Sequence, residues 1–192
     1  MPYPSQVDRE EIVRQARALI EREGEAAFSM SALATSLGVK APSLYRYVDG
    51  RDNLLQAVNL ETLRRLFAAF DEALTDAPEE PAARLVALAH AYRAFAHANP
   101  CSYELAFTSS GVRRPDEEIL LQMVLPLQEI MAGITGKPLS LAALRGLLAL
   151  IHGFVMLELN EQLQRGGDLR SDFGQSVAAY LRGWQKRSRE GP

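Results

Sequence analysis

The sequence predicts an all-α protein: an N-terminal three-helix unit, a long connecting helix and a larger helical body. Three observations carry that reading. Apolar residues recur every three or four positions in most segments, which lays an apolar stripe along one side of a helix. Gly, Pro, Asp and Ser stand where those segments begin and end. No stretch reads as a convincing strand.

Each element follows from its residues. Asp8 caps a first helix, EEIVRQARALIEREG, with Ile12, Val13, Ala16, Leu19 and Ile20 on one stripe and Gly24 as its stop. FSMSALATSLGV supplies a second, with Ser29 as cap, Leu33, Ala34 and Leu37 inward, and Gly38 at the end. Pro42 suits the first turn of a short third helix, where its missing N–H costs nothing. DGRDNLLQAVNLETLRRLFAAFDEAL is a longer amphipathic helix to about Leu74, and TDAPEEP, from Thr75 to Pro81, is the clearest linker-like shift. AARLVALAHAYRAFAHAN follows, ended by Pro100. A short helix around Tyr103 and Phe107 then gives way to a loop, SSGVRRPDEE. The segment from Asp116 to Ile134 is helical with Pro126 inside it, which predicts a kink or a break. Two substantial helices close the chain. LAALRGLLALIHGFVMLELNEQLQRGG is apolar on nearly all sides, and DLRSDFGQSVAAYLRGWQKRSRE is amphipathic with a basic end. The expected division is a reader domain, residues 1–55, and a sensor body, residues 56–192.

Composition limits the function. A chain of 192 residues, 47% apolar and 23% charged, can bury a proper core. Its net charge of -3 argues against coating nucleic acid through bulk charge, yet leaves room for a local basic patch. The single Cys101 allows no intrachain disulfide. With no signal peptide and no apolar run near membrane-spanning length, a cytoplasmic location and no membrane partner are expected. The opening MPYPSQVDRE reads as a short polar arm.

The chemistry concentrates in VKAPSLYRYVDGRDNL, Val39 to Leu54, where Lys, Arg and Tyr crowd together in an acidic chain. With Gly38 as the turn of a helix-turn-helix, Ala34 sits where two steeply crossed helices approach closely. Leu33, Leu37, Val39, Leu44 and Tyr47 form an apolar seam, and Lys40, Ala41, Ser43 and Arg46 face outward. A second helix so placed can lie in the major groove. Lys40 and Arg46 can donate to guanine or phosphate, Ser43 can donate or accept, and Ala41 and Pro42 can meet a thymine methyl. The hydroxyls of Tyr45 and Tyr47 can reach phosphate oxygens. Arg51 opens the next helix, where backbone N–H groups favour an anion; Ser29 and Ser31 open the preceding one in the same way. The blander alternatives are that Tyr47 is partly core and that Arg51 pairs with Asp49 or Asp52.

AFSMSALATSLGVKAPSLYRYVDGRDNLLQAV resembles the DNA-binding segment of the TetR family of bacterial transcriptional repressors, from Ile12 to Val58. That family typically carries Leu-Tyr, one residue, then an aromatic or His, and a Lys opening the fourth helix. Leu44, Tyr45 and Tyr47 match, Arg51 keeps the charge with another geometry, and Val48 replaces the more usual Phe. The resemblance implies that Lys40, Ala41, Pro42, Ser43 and Tyr45 face a double-stranded DNA operator, while Ser29, Tyr47 and Arg51 grip phosphates. Arg46 stays open between base, phosphate and solvent.

HANPCSYELAF and LIHGFVMLEL resemble C-terminal regulatory domains with a Trp…His-Gly signature. His152 and Gly153 fit; Leu148 stands at the Trp position. Such domains bind a small effector and pair their last two helices with twofold mates, implying a homodimer. Candidate effector contacts are His90, Tyr92, Phe95, Tyr103, Phe107, Met123, His152 and Met156, the polar or aromatic residues on apolar helices. Leu147, Ile151, Phe154, Val155, Val177, Tyr180, Leu181 and Trp184 exceed what one small core needs and are the candidate dimer interface. The expected function is a ligand-responsive repressor. Alternatives are a helical ligand-binding protein that does not read DNA, or less favoured, an all-α enzyme. His90, His97, His152 and Glu104 form no compact ligand cluster, Cys101 has no evident catalytic partner, and no phosphate-cradling loop is present. Neither a metal nor a cofactor is expected.

Overall fold

The structure, a computed structural model, describes residues 8–108 and 116–190; the opening arm and most of the SSGVRRPDEE loop lie outside the described residues. The helices are α1 (Arg9–Glu23), a 3₁₀ turn (Glu25–Ala27), α2 (Met30–Ser36), α3 (Ala41–Leu44), α4 (Arg51–Thr75), α5 (Pro81–Ala98), α6 (Pro100–Thr108), α7 (Glu117–Thr135), α8 (Lys137–Leu159) and α9 (Leu169–Glu190). Among the described residues there is no strand. The all-α expectation holds. α7 runs through Pro126 without a break, although the proline lacks the N–H that would bond the Gln122 carbonyl.

Two compact units divide the chain: Met1–Arg65 with Asn99–Glu117, and Leu66–Ala98 with Glu118–Pro192. The division therefore lies ten residues beyond the expected 55/56 boundary, and α6 joins the first unit. The reasons are physical. Leu54, Leu55 and Val58 on α4 are buried with Ile12, Ile20, Leu33 and Leu44, and Leu105 of α6 belongs to the same core. Glu21 on α1 also accepts hydrogen bonds from the backbone N–H groups of Cys101 and Ser102, both at 3.0 Å, and so caps α6. The buried Arg17, also on α1, donates to Asn99.

In the second unit α5, α8 and α9 pack together. Phe173 on α9 is fully buried, and the rings of His90 and Phe154 meet it edge-on at 5.4 and 5.3 Å. Tyr180 donates to the Ala143 carbonyl at 2.8 Å and lies over Gly146, where any side chain would collide with its hydroxyl. Arg93 holds Glu158 through two hydrogen bonds of 2.8 and 2.6 Å. Contrary to the expectation that no apolar run approaches membrane-spanning length, α7 and α8 are long and apolar enough to cross a membrane, by length and composition. Part of that surface goes instead to the unit's interior, at Met131 and Ile134 on α7 and Ala143, Leu147, Ile151 and Val155 on α8.

Candidate nucleic-acid interface and ligand cavity

α2 and α3 are joined by a turn that only glycine adopts cheaply. Gly38 has φ +67°, the Gly38 N–H bonds to Thr35, and the Val39 N–H reaches back to the Ala34 carbonyl at 3.0 Å. Ser29 caps α2 by accepting from the Ala32 N–H at 3.1 Å. α3 is one turn long, with Pro42 in its first turn. After Leu44 the chain tightens, with the Tyr47 and Val48 N–H groups both bonded to the Leu44 carbonyl. That tightening turns Val48 into the core and leaves Tyr47 39% exposed, so Val48 takes the seam place the sequence reading gave to Tyr47.

The nominated DNA contacts share this region. Ser29, Ser31, Lys40, Pro42, Tyr45, Arg46, Tyr47 and Arg51 are exposed, while Ala41 and Ser43 are half-buried. Arg51 pairs with neither Asp49 nor Asp52. Its Nη2 lies 3.3 Å from Glu25 Oε1, and its guanidinium sits 5.8 Å from the centre of the Phe28 ring. Sequence reasoning passed over Glu25, because the 3₁₀ turn that brings it to Arg51 has no periodic signature.

The second unit holds a cavity of about 470 Å³. Phe67, Phe70 and Leu74 of α4 form one wall and Met123, Pro126, Leu127 and Ile130 of α7 the other, with Asp71, Arg84 and Gln122 as its polar members. Of the eight candidate effector residues, Met123 alone lines it. Tyr92 is buried, stacked on Phe70 at 6.4 Å, and its hydroxyl lies 3.2 Å from His152 Nδ1. Phe95 is buried, Met156 half-buried, and His90 sits beside Phe173. Tyr103 and Phe107 belong to the first unit, their rings tilted against each other with centres 4.8 Å apart. The cavity's α4 wall was missed because Phe67 and Phe70 have ordinary core spacing; only their meeting with α7 reveals a half-open pocket.

Burial and partners tune the ionisable groups here. Burial pushes the His152 imidazole below its usual value. Burial does the same to His90, aided by the charges of Arg170 and Arg93. Burial alone would raise the Glu158 carboxyl, but the hydrogen bonds from Arg93 and His97 outweigh it and the net shift is downward.

The candidate dimer residues divide. Leu147, Ile151, Val155, Val177 and Leu181 are buried within one chain. α8 is apolar all round, so periodicity could not separate its inward side from its outward side. Phe154, Tyr180 and Trp184 are half-buried, and the exposed large apolar side chains of α8 are Leu141, Leu148 and Leu157.

Residues 12–58 match the family described as bacterial regulatory proteins, tetR family, and residues 85–180 match the tetracyclin repressor-like C-terminal domain. The chain belongs to the TetR family. It is 31% identical, over 98% of its length and 86% of the relative's, to an uncharacterised HTH-type transcriptional regulator of Mycobacterium tuberculosis. A TetR variant from Acinetobacter baumannii in complex with minocycline shares the TetR fold, with a TM-score of 0.72 at 17% identity, over 94% of this chain and 98% of that one. BioQ with its natural double-stranded DNA operator has a TM-score of 0.67 at 21% identity, over 95% and 100%. A TetR-family chain of this kind is a transcriptional regulator with a DNA-binding helix-turn-helix, not an enzyme.

Proposed function

We propose that this TetR-family regulator is a cytoplasmic, ligand-responsive repressor. It binds a pseudo-palindromic operator as a homodimer, and a small, mainly apolar effector controls its DNA affinity. The observation that carries the reading is the double membership of α4. This one continuous helix begins at Arg51 in the first unit and supplies Phe67, Phe70 and Leu74 to the cavity of the second. A ligand that re-aims α4 re-aims the helix whose first residue stands beside the reader. A volume of about 470 Å³ with few polar groups suits a small apolar molecule. The minocycline bound by the A. baumannii protein and the operator bound by BioQ are precedents for both ligand types in this fold.

In this reading Lys40, Ala41, Pro42, Ser43 and Tyr45 face bases, and Ser29, Tyr47 and Arg51 hold phosphates. The second copy docks on the outward side of α8 and α9, through Leu141, Leu148, Tyr180 and Trp184. Ligand and operator oppose each other reciprocally, as any coupling between sites must.

The test is fluorescence anisotropy with duplexes from the protein's own upstream region, using wild type and Ile130→Trp, whose indole occupies the cavity in place of a ligand. Saturable binding by wild type and altered affinity in the folded variant are expected. No binding by wild type across low salt would sink the repressor reading, and equal affinities would sink the coupling.

A further inference from the structure

The first unit sets a carboxylate against the cation read as a phosphate grip. Arg51 Nη2 lies 3.3 Å from Glu25 Oε1 and 3.4 Å from the Glu25 backbone carbonyl, and Phe28 backs the guanidinium. Phe28 is itself buried and directly precedes Ser29, the cap of α2. We propose that Glu25 is a tuning residue that acts through Arg51 and holds this protein's affinity down equally for every DNA sequence. The inference rests on reading Arg51 as a phosphate contact.

The reason lies in the shape of the guanidinium. Arginine grips phosphate best with two parallel N–H bonds, and Nη2 belongs to both edges of the fork that can do so. Glu25 sits at that nitrogen. A phosphate arriving at Arg51 must therefore share Nη2 with a carboxylate or push it aside, and it meets like charge either way. The side chains are 41% and 36% exposed, so the ion pair is weak enough for phosphate to displace. The carbonyl contact and Phe28 do not depend on the carboxylate charge. They keep Arg51 in place when that charge is removed, which makes Glu25 a restraint on the grip rather than its support. Phosphate contacts carry no sequence information, so the restraint applies to operator and unrelated DNA alike.

The experiment is a double-mutant cycle of Glu25→Gln and Arg51→Ala, with affinity measured for an upstream-region duplex and an unrelated duplex over a salt series. Glu25→Gln alone should tighten both duplexes by the same factor, about two- to fivefold, the scale of an exposed ion pair. It should also steepen the salt dependence, by at most about 0.9 in slope. In the Arg51→Ala background the Glu25→Gln gain should vanish. Weaker or unchanged binding by Glu25→Gln overturns the proposal, as does the same gain in both backgrounds or a change confined to one duplex. Any of those results leaves the DNA-reading role intact. If wild type bound no duplex, that role would fall and this inference with it.

Discussion

The Glu21 carboxylate at the end of α1 accepts hydrogen bonds from both the backbone N–H and the hydroxyl of Ser102, in the first turn of α6. Ser102 is fully buried, and the same carboxylate accepts the Cys101 N–H. Glu21→Ala leaves those donors without an acceptor, a loss of about 1–3 kcal/mol. Urea titration should show it as a lower midpoint. An unchanged midpoint would mean that water replaces the cap.

Arg51 and Lys40 should fail differently on DNA. Arg51→Ala weakens binding to every sequence and lowers the salt slope by about one unit. Lys40→Ala changes which base is preferred, with a cost of about 1–3 kcal/mol at the contacted position. Competition binding across single-base operator variants separates the two; a uniform loss for Lys40→Ala would assign it to phosphate.

The cavity predicts a filling effect. Wild type should bind 1-anilinonaphthalene-8-sulfonate, and Ile130→Trp should bind it several-fold more weakly while keeping its helical circular dichroism. An indole adds volume to a site of about 470 Å³ that already has Phe67 and Phe70 on its far wall. Equal dye binding by the two proteins would show that the dye enters elsewhere.

Arg93 and Glu158 should not survive separation. The Glu158 side chain is only 3% exposed, and Arg93→Met leaves it charged and without its two strongest hydrogen bonds. A loss of about 3 kcal/mol is expected on thermal or urea unfolding. A loss well below that would mean that His97, 3.2 Å away, takes over the pairing.

Stability should fall in mild acid. His90 and His152 have imidazoles pushed below their ordinary value, so the unfolded chain takes up protons before the folded one does. Their contribution is complete above about pH 6.5 and is lost as pH falls through the depressed folded values. Urea midpoints at pH 7.5 and 5.5 should differ in wild type, and His90→Gln with His152→Gln should narrow the gap. A gap untouched by both changes would place the pH dependence on other groups.

The reader was legible in the sequence because its signals are local. Asp8, Ser29, Gly38 and Pro42 act within four residues of themselves, through caps, a left-handed turn and a preset φ. The stripe from Ile12 to Ile20 likewise reports burial on one side of one helix. Even here a single residue of tightening after Leu44 exchanged Tyr47 for Val48 in the core.

By itself the sequence determined the all-α class, the helix-turn-helix and the TetR resemblance, because helix periodicity and turn chemistry are properties of neighbours along the chain. The tertiary structure decided what depends on segments far apart. It placed α6 against α1 through Glu21, set Glu25 beside Arg51, opened the cavity between α4 and α7, and sorted α8 into a buried and an outward side. An apolar residue carries no mark of which neighbour it will bury against, and a carboxylate none of which distant donor it will meet. Only the packing of the chain assigns those partners.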